Sequence, residues 1–151
     1  MIFIFVRNDG FSKLSFSEFI QYNMPYKNLS LLVLRLAGGL MMLTHGYPKF
    51  MKMLSGDFSF ADPLGLGEEV SLVATVFAEF ICSILVALGL YTRLASVPIL
   101  FTMLIAALVV HSGDPFGKQE LGLLYAALFS VTALNGGGSF SLDKIIRKKN
   151  I

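Results

Sequence analysis

Four long apolar stretches, each closed off by charge, Pro or Gly, constrain this chain more than any other feature. They run from Leu29 to Tyr47, Val70 to Leu90, Leu94 to Val110 and Leu121 to Leu134. Three approach the roughly 17 to 25 residues that a helix needs to cross hydrocarbon. The fourth has about 14 apolar-rich residues, and it spans only with Gln119, Glu120 and the Asn-Gly-Gly stretch at the interfaces. No apolar/polar alternation marks strands, and a barrel of this size would need twice as many segments. The expectation is therefore an all-α, antiparallel bundle of four transmembrane helices. Composition agrees: 55% of the 151 residues are hydrophobic and 15% charged, against about 25% charged in soluble domains. A mean hydropathy of +0.71 leaves more apolar surface than one small core can hide.

Charge placement sets the orientation. Arg7, Lys13, Lys27, Arg93, Lys144, Arg147, Lys148 and Lys149 fall on one side of a four-pass chain, and Lys49, Lys52 and Lys118 on the other. Eight against three places both termini in the cytoplasm, with most loop acids outside. The Tyr91-Thr92-Arg93 connection is too short for anything but antiparallel neighbours. A net charge of +2 is too weak to suggest nucleic acid. The single cysteine, Cys82, excludes dithiol chemistry within one chain and reads as packing.

The chain divides into an amino-terminal segment 1–28, a membrane domain 29–143 and a basic cytoplasmic tail 144–151. The first segment supports two readings. Phe11, Leu14, Phe16, Phe19 and Ile20 suggest an amphipathic helix on the inner surface, whereas Met24-Pro25-Tyr26-Lys27 suits a start just before the first span. A signal peptide does not fit, because no basic region precedes Met1 to Val6 and no small-residue cleavage site follows.

Ionisable groups inside spans cost at least about 2.5 to 3.5 kcal/mol, so each needs a partner or a purpose. Arg35, Gly38, Gly39, Met42, His45, Gly46 and Lys49 recur at three- and four-residue steps on one stripe of the first helix. Thr75, Glu79, Cys82 or Ser83, and Val86 repeat the pattern on the second. Small residues on both stripes permit close approach, which turns the ionisable groups into the bundle. Depth along the helices makes an ion pair between Arg35 and Glu79 feasible, either to fix helix register or to handle a proton or ligand.

A second group gathers at the outer mouth: His45, Lys49, Asp62, His111, Asp114 and Glu120. His and carboxylate are metal-ligand types, but no close pair of His or Cys ligands accompanies them, so interfacial ion pairs are the alternative and no metal is expected. The Asn135 to Ser139 stretch lacks the Lys-Ser or Lys-Thr of a phosphate loop and reads as a helix stop.

Several fragments in order resemble the DoxX family of small bacterial membrane proteins: Leu34-Arg35-Leu36 with Gly38-Gly39, then Thr44-His45-Gly46-Tyr47-Pro48-Lys49. Ala78-Glu79-Phe80 follows, then Gly89-Leu90-Tyr91-Thr92-Arg93-Leu94-Ala95, and last Gly136 to Asp143. The resemblance runs from about Leu29 to Asp143 and implies a four-helix protein of the bacterial inner membrane. It also implies an association with quinone-linked and membrane oxidoreductase systems, although most members have no assigned reaction. Arg35, His45, Lys49, Glu79 and Arg93 look like the family's recurring positions. The 58–67 and 111–116 stretches look like features of a subgroup.

Nothing matches a flavin, haem or dinucleotide motif, so no cofactor is evident and a redox role would depend on a quinone or on membrane oxidoreductase subunits. Three functions compete: a quinone-interacting or redox-partner subunit, a small transporter, and an assembly factor without chemistry. The candidate pocket for a polar head group comprises Arg35, His45, Lys49, Glu79, His111, Asp114 and Glu120, with His45, Glu79 and His111 converging on one cavity.

Overall fold

The computed structural model describes residues 26–149, so the alternative readings of the amino-terminal segment lie outside the described residues. Among the described residues the chain is all-helical, without strands. Helix α1 spans Lys27–Leu54, α2 Glu68–Leu88 and α3 Thr92–Val110. Helix α4 spans Phe116–Asn135 and α5 Leu142–Lys149. Three of these, α1 to α3, are long and apolar enough to cross a membrane. Their outward residues confirm the solvent they are built for: Val33, Leu40, Phe77, Val97 and Phe101 are all more than half exposed or close to it. No core in water leaves apolar area of that extent uncovered, and a bilayer accounts for it.

Neighbouring helices run antiparallel, and small residues fix how closely they approach. A methyl placed on Gly46 of α1 would stand 2.5 Å from the Glu79 carbonyl oxygen of α2, and one on Gly39 would stand 2.9 Å from Ala87 Cβ. Falling numbers on one helix thus meet rising numbers on the other, backbone against backbone, as the small-residue stripes predict. Helices α3 and α4 pair along their length, with Ser96 Oγ and Thr132 Oγ1 sharing a buried hydrogen bond of 2.7 Å. The apolar core shared by α1 to α4 holds Met42, Cys82, Val86, Ile99, Met103, Tyr125 and Phe129. Cys82 is buried there.

Two helices depart from regular winding. Phe77–Cys82 of α2 and Ala106–Val110 of α3 are π-helical. Such segments insert one extra residue per turn and re-aim the side chains that follow. Both lie in the half of the molecule that contains Lys49, and one of them carries Glu79.

At the opposite end the chain ties itself together around Arg35, which is 1% exposed. Its Nη1 donates to the Gly137 carbonyl at 2.6 Å and its Nη2 to the Phe140 carbonyl at 2.8 Å. Gly89, at φ +74°, closes α2 directly against the guanidinium, a place where any side chain would collide. The Asp143 carboxylate accepts from Tyr91 N at 2.7 Å, Thr92 N at 3.0 Å and Thr92 Oγ1 at 2.9 Å. It thereby caps α3 from a distant part of the chain. The Asn135 to Ser139 stretch ends α4, as a helix stop should, and its Gly137 carbonyl, with that of Phe140 just beyond it, becomes an acceptor for Arg35.

The expected Arg35–Glu79 ion pair is not formed. Helical side chains lean toward their own amino terminus. Arg35 therefore leans toward the start of α1, to the Gly137 and Phe140 carbonyls after α4, away from Glu79. Lys49 lies 14 residues further on, about 21 Å along the axis. It leans inward by the same rule and takes the carboxylate instead.

Candidate functional site

Glu79 sits on the π-helical turn of α2, and its side chain is 3% exposed. The Lys49 ammonium donates to its Oε2. Lys49 itself remains 29% exposed, so the ion pair has one buried and one accessible partner. Gly46, one turn before Lys49, allows this pairing by letting the α1 backbone lie against the Glu79 peptide.

His111 follows the π-helical end of α3. Its Nδ1 is 2.8 Å from Asp114 Oδ2. A carboxylate only accepts, so Nδ1 carries the proton and Nε2 is left as the free ring nitrogen. Lys118 approaches the second Asp114 oxygen at 3.4 Å, and the Gln119 amide donates to the carbonyls of His111 at 2.9 Å and Asp114 at 3.2 Å. This web fixes the turn between α3 and α4. The Asp114 carboxyl lies outside the spanning segments. It is held below the ordinary carboxylate range chiefly by its hydrogen bond to His111, against desolvation and with lesser help from Lys118.

Two cavities meet at these residues. One of about 390 Å³ runs between α2 and α3 beneath the 55–67 loop, with Lys49, Glu79 and His111 in its wall. Elsewhere its wall is mostly apolar, bounded by Phe60, Leu64, Leu66, Phe101, Ile105 and Val110, with Ser71, Thr75 and Thr102 among them. Phe101 and Val110 are substantially exposed on the outward face of α3, so this chamber opens sideways, toward lipid. The second, of about 190 Å³, lies between α1, α3 and α4 and contains His45, Lys118 and Tyr125 beside the same Lys49, Glu79 and His111. Ala106, at the start of the π-helical segment of α3, borders both.

The loop roof is held by one residue. Asp62 accepts from Leu66 N at 2.9 Å, Gly67 N at 2.8 Å and Ser71 Oγ at 2.9 Å. These bonds fold the 58–67 stretch over the apolar chamber and begin α2 at its proper place. Asp62 thus shapes the roof without joining the Lys49–Glu79 cluster.

The expected convergence of His45, Glu79 and His111 on one cavity is present in the smaller chamber. His45 stands at its mouth, exposed, with its ring edge-on to Tyr125 at a centroid distance of 5.7 Å. Lys49 joins them through its ion pair, and Asp114 through His111. Arg35 belongs to the opposite end, and Glu120 is exposed on α4 outside both cavities. Tyr125 and Lys118 were not anticipated. A lone tyrosine in the middle of an apolar span, on α4, was the available signal for the first. Among the described residues no three His, Cys, Asp or Glu side chains are grouped to hold a metal.

An all-helical chain with lipid-facing spans and a buried ion pair at the end of a lateral cavity defines an integral membrane protein with a polar intramembrane site. The DoxX family model matches residues 30–112, and the chain belongs to the DoxX family. An uncharacterized membrane protein of Mycobacterium tuberculosis is 31% identical over 143 residues, covering 80% of this chain and 83% of its own length. The Bacillus subtilis protein named "Putative oxidoreductase CatD" is 31% identical over 118 residues, 78% of this chain and 87% of its own. The Escherichia coli inner membrane protein YphA is 29% identical over 126 residues, 76% and 88% respectively. No solved structure matches the chain.

Proposed function

We propose that this protein is a quinone-binding subunit of a redox assembly in the bacterial inner membrane, with α1 to α4 all crossing and both termini in the cytoplasm. The observation that carries the reading is the lateral chamber of about 390 Å³ whose apolar walls end on Lys49, Glu79 and His111. Its size falls in the range of small-molecule sites, about 300 to 1,000 Å³. A quinone offers what such a chamber selects: a lipophilic body that reaches it through the bilayer, and carbonyl oxygens that accept hydrogen bonds. The Lys49 ammonium has three donors, of which the Glu79 bond uses one, so it can donate to a ring carbonyl while staying paired. His111, held by Asp114, presents its second ring nitrogen for a proton or hydrogen bond. Electrons would come from a partner protein, and this chain would bind, orient and protonate.

Two further observations support the reading. The CatD relative carries oxidoreductase in its name, and YphA is named as an inner membrane protein. The eight-to-three excess of basic residues favours cytoplasmic termini. The 20 residues of α4 are long enough at about 30 Å to cross beside α3. A transport reading has the intramembrane ion pair in its favour, but both cavities that reach the pair lie at the Lys49 end, and the groove at the Arg35 end does not include it.

The test is a titration of the purified protein in lipid nanodiscs with a short-chain ubiquinone and a naphthoquinone, read as thermal stabilisation. Saturable stabilisation by a quinone, lost in Glu79→Gln combined with His111→Ala, is expected. Stabilisation equal to that given by an alkane of the same chain length would contradict quinone recognition.

A further inference from the structure

A groove of about 380 Å³ opens at the Arg35 end, between the start of α3, the 136–139 loop and the start of α5. Arg93 and Lys144 both line it. Asp143 is the one acid in its wall, and both of its oxygens are already taken by the Tyr91 and Thr92 N–H groups and the Thr92 hydroxyl. Those bonds orient the carboxylate without cancelling its charge, and Arg93 and Lys144 together outweigh it, so the lining keeps an excess of positive charge. Among the described residues neither has a carboxylate within ion-pair distance. Arg93 crosses the loop at Gly136, where a methyl would stand 3.1 Å from its Nε. The loop thus makes room for the guanidinium beside the opening.

A second, independent observation says what approaches this groove. Helix α5 is amphipathic, with Leu142, Ile145 and Ile146 exposed at three- and four-residue spacing. Lys144 and Lys148 are exposed along the same helix, and Arg147 and Lys149 add to its positive charge in the sequence. An uncovered apolar stripe flanked by basic residues, continuous with a membrane-spanning body, belongs at a lipid interface. Charge complementarity selects anionic lipid there.

We propose that the groove between α3, the 136–139 loop and α5 binds the phosphodiester of an anionic membrane lipid, through Arg93 and Lys144. Ile145 and Ile146 then rest in the acyl boundary of the same leaflet. The site is separate from the Lys49–Glu79 cluster and stands or falls independently of quinone binding.

The full chain, purified in mild detergent, is mixed with equimolar phosphatidylglycerol and phosphatidylcholine of matched acyl chains. Retained lipid is then counted by native mass spectrometry. Phosphatidylglycerol is expected to be retained at least tenfold over phosphatidylcholine, and Arg93→Gln with Lys144→Gln to remove that preference. Lys52→Gln, at the opposite end, is the matched control and keeps it. Lys144 is exposed, so Lys144→Gln alone leaves folding intact and is expected to lower the preference severalfold even if the double variant does not fold. Equal retention of the two lipids overturns the proposal, as does a preference unchanged in Lys144→Gln. Displacement of the lipid by millimolar inorganic phosphate would show a free-anion site and equally overturn it.

Discussion

Lys49 on α1 and Glu79 on the π-helical turn of α2 form an ion pair whose carboxylate is almost wholly buried and whose ammonium keeps access to two cavities. A buried charge with a single partner makes the pair energetically asymmetric. Lys49→Met strands the carboxylate and is expected to cost about 3 to 5 kcal/mol, whereas Lys49→Met with Glu79→Leu recovers much of that. Denaturation in detergent of the singles and the double gives the coupling. Arg35 and Glu79 share no partner, so Arg35→Met and Glu79→Leu should add within about 0.5 kcal/mol. Strong coupling of Arg35 to Glu79 would contradict the pairing.

Arg35 is a tie for the fold and not a ligand group. Arg35→Met leaves the Gly137 and Phe140 carbonyls without their donor, at a cost of roughly 2 to 5 kcal/mol for two acceptors. Thermal unfolding should record that loss, while the quinone-induced stabilisation of the remaining folded protein stays the same size.

Asp62 predicts how the loop roof responds to pH. The Gly67 N–H leads in holding its carboxyl below the ordinary range, joined by Ser71 and Leu66 against some desolvation. The unfolded carboxyl titrates at about 3.9 and the folded one lower, so the unfolded chain binds more protons between the two values. The Asp62 bonds therefore support the fold fully at neutral pH, and their contribution is lost as pH falls through the lowered folded value. Exchange of the Leu66 and Gly67 amides, corrected for intrinsic rates, should stay protected down to about pH 4 and lose protection only in stronger acid. Asp62→Asn should abolish that pH dependence. Protection already lost at pH 6 would contradict it.

The number of crossings follows from α4. Reporter fusions after Gly56 and Gly117 should read external, and a fusion after Asn150 cytoplasmic. The Gly117 fusion is the most demanding, because α4 begins among Phe116, Lys118, Gln119 and Glu120. A cytoplasmic reading there would leave α4 on the wrong side.

The all-helical character, the antiparallel order and the contact stripes of α1 and α2 were legible because lipid-facing helices write their length in apolar residues and their contacts in small ones. Gly39 and Gly46 lie where that pattern puts them. The partner of Glu79 was not legible, because depth along two helices leaves out the direction in which a side chain leans, and that direction sends Arg35 and Lys49 opposite ways. The π-helical turns at Glu79 and before His111 have no signature in composition. Nor could the far end of α1 be read: Lys49 and Lys52 closed the apolar run at Tyr47, yet the helix continues to Leu54, with Lys49 paired to Glu79 of α2. Asp143 likewise read only as the last residue of the membrane domain, since its donors, Tyr91 and Thr92, lie far away in sequence.

The most direct test of the central claim is photolabelling in nanodiscs with a quinone that carries a photoreactive group on its ring. Labelled peptides should come from the 58–66 roof and the 101–111 stretch of α3. Excess short-chain ubiquinone should suppress them, and Glu79→Gln with His111→Ala should lose them. Labelling spread evenly over the lipid-facing helices, or untouched by ubiquinone, would contradict a quinone site at Lys49, Glu79 and His111.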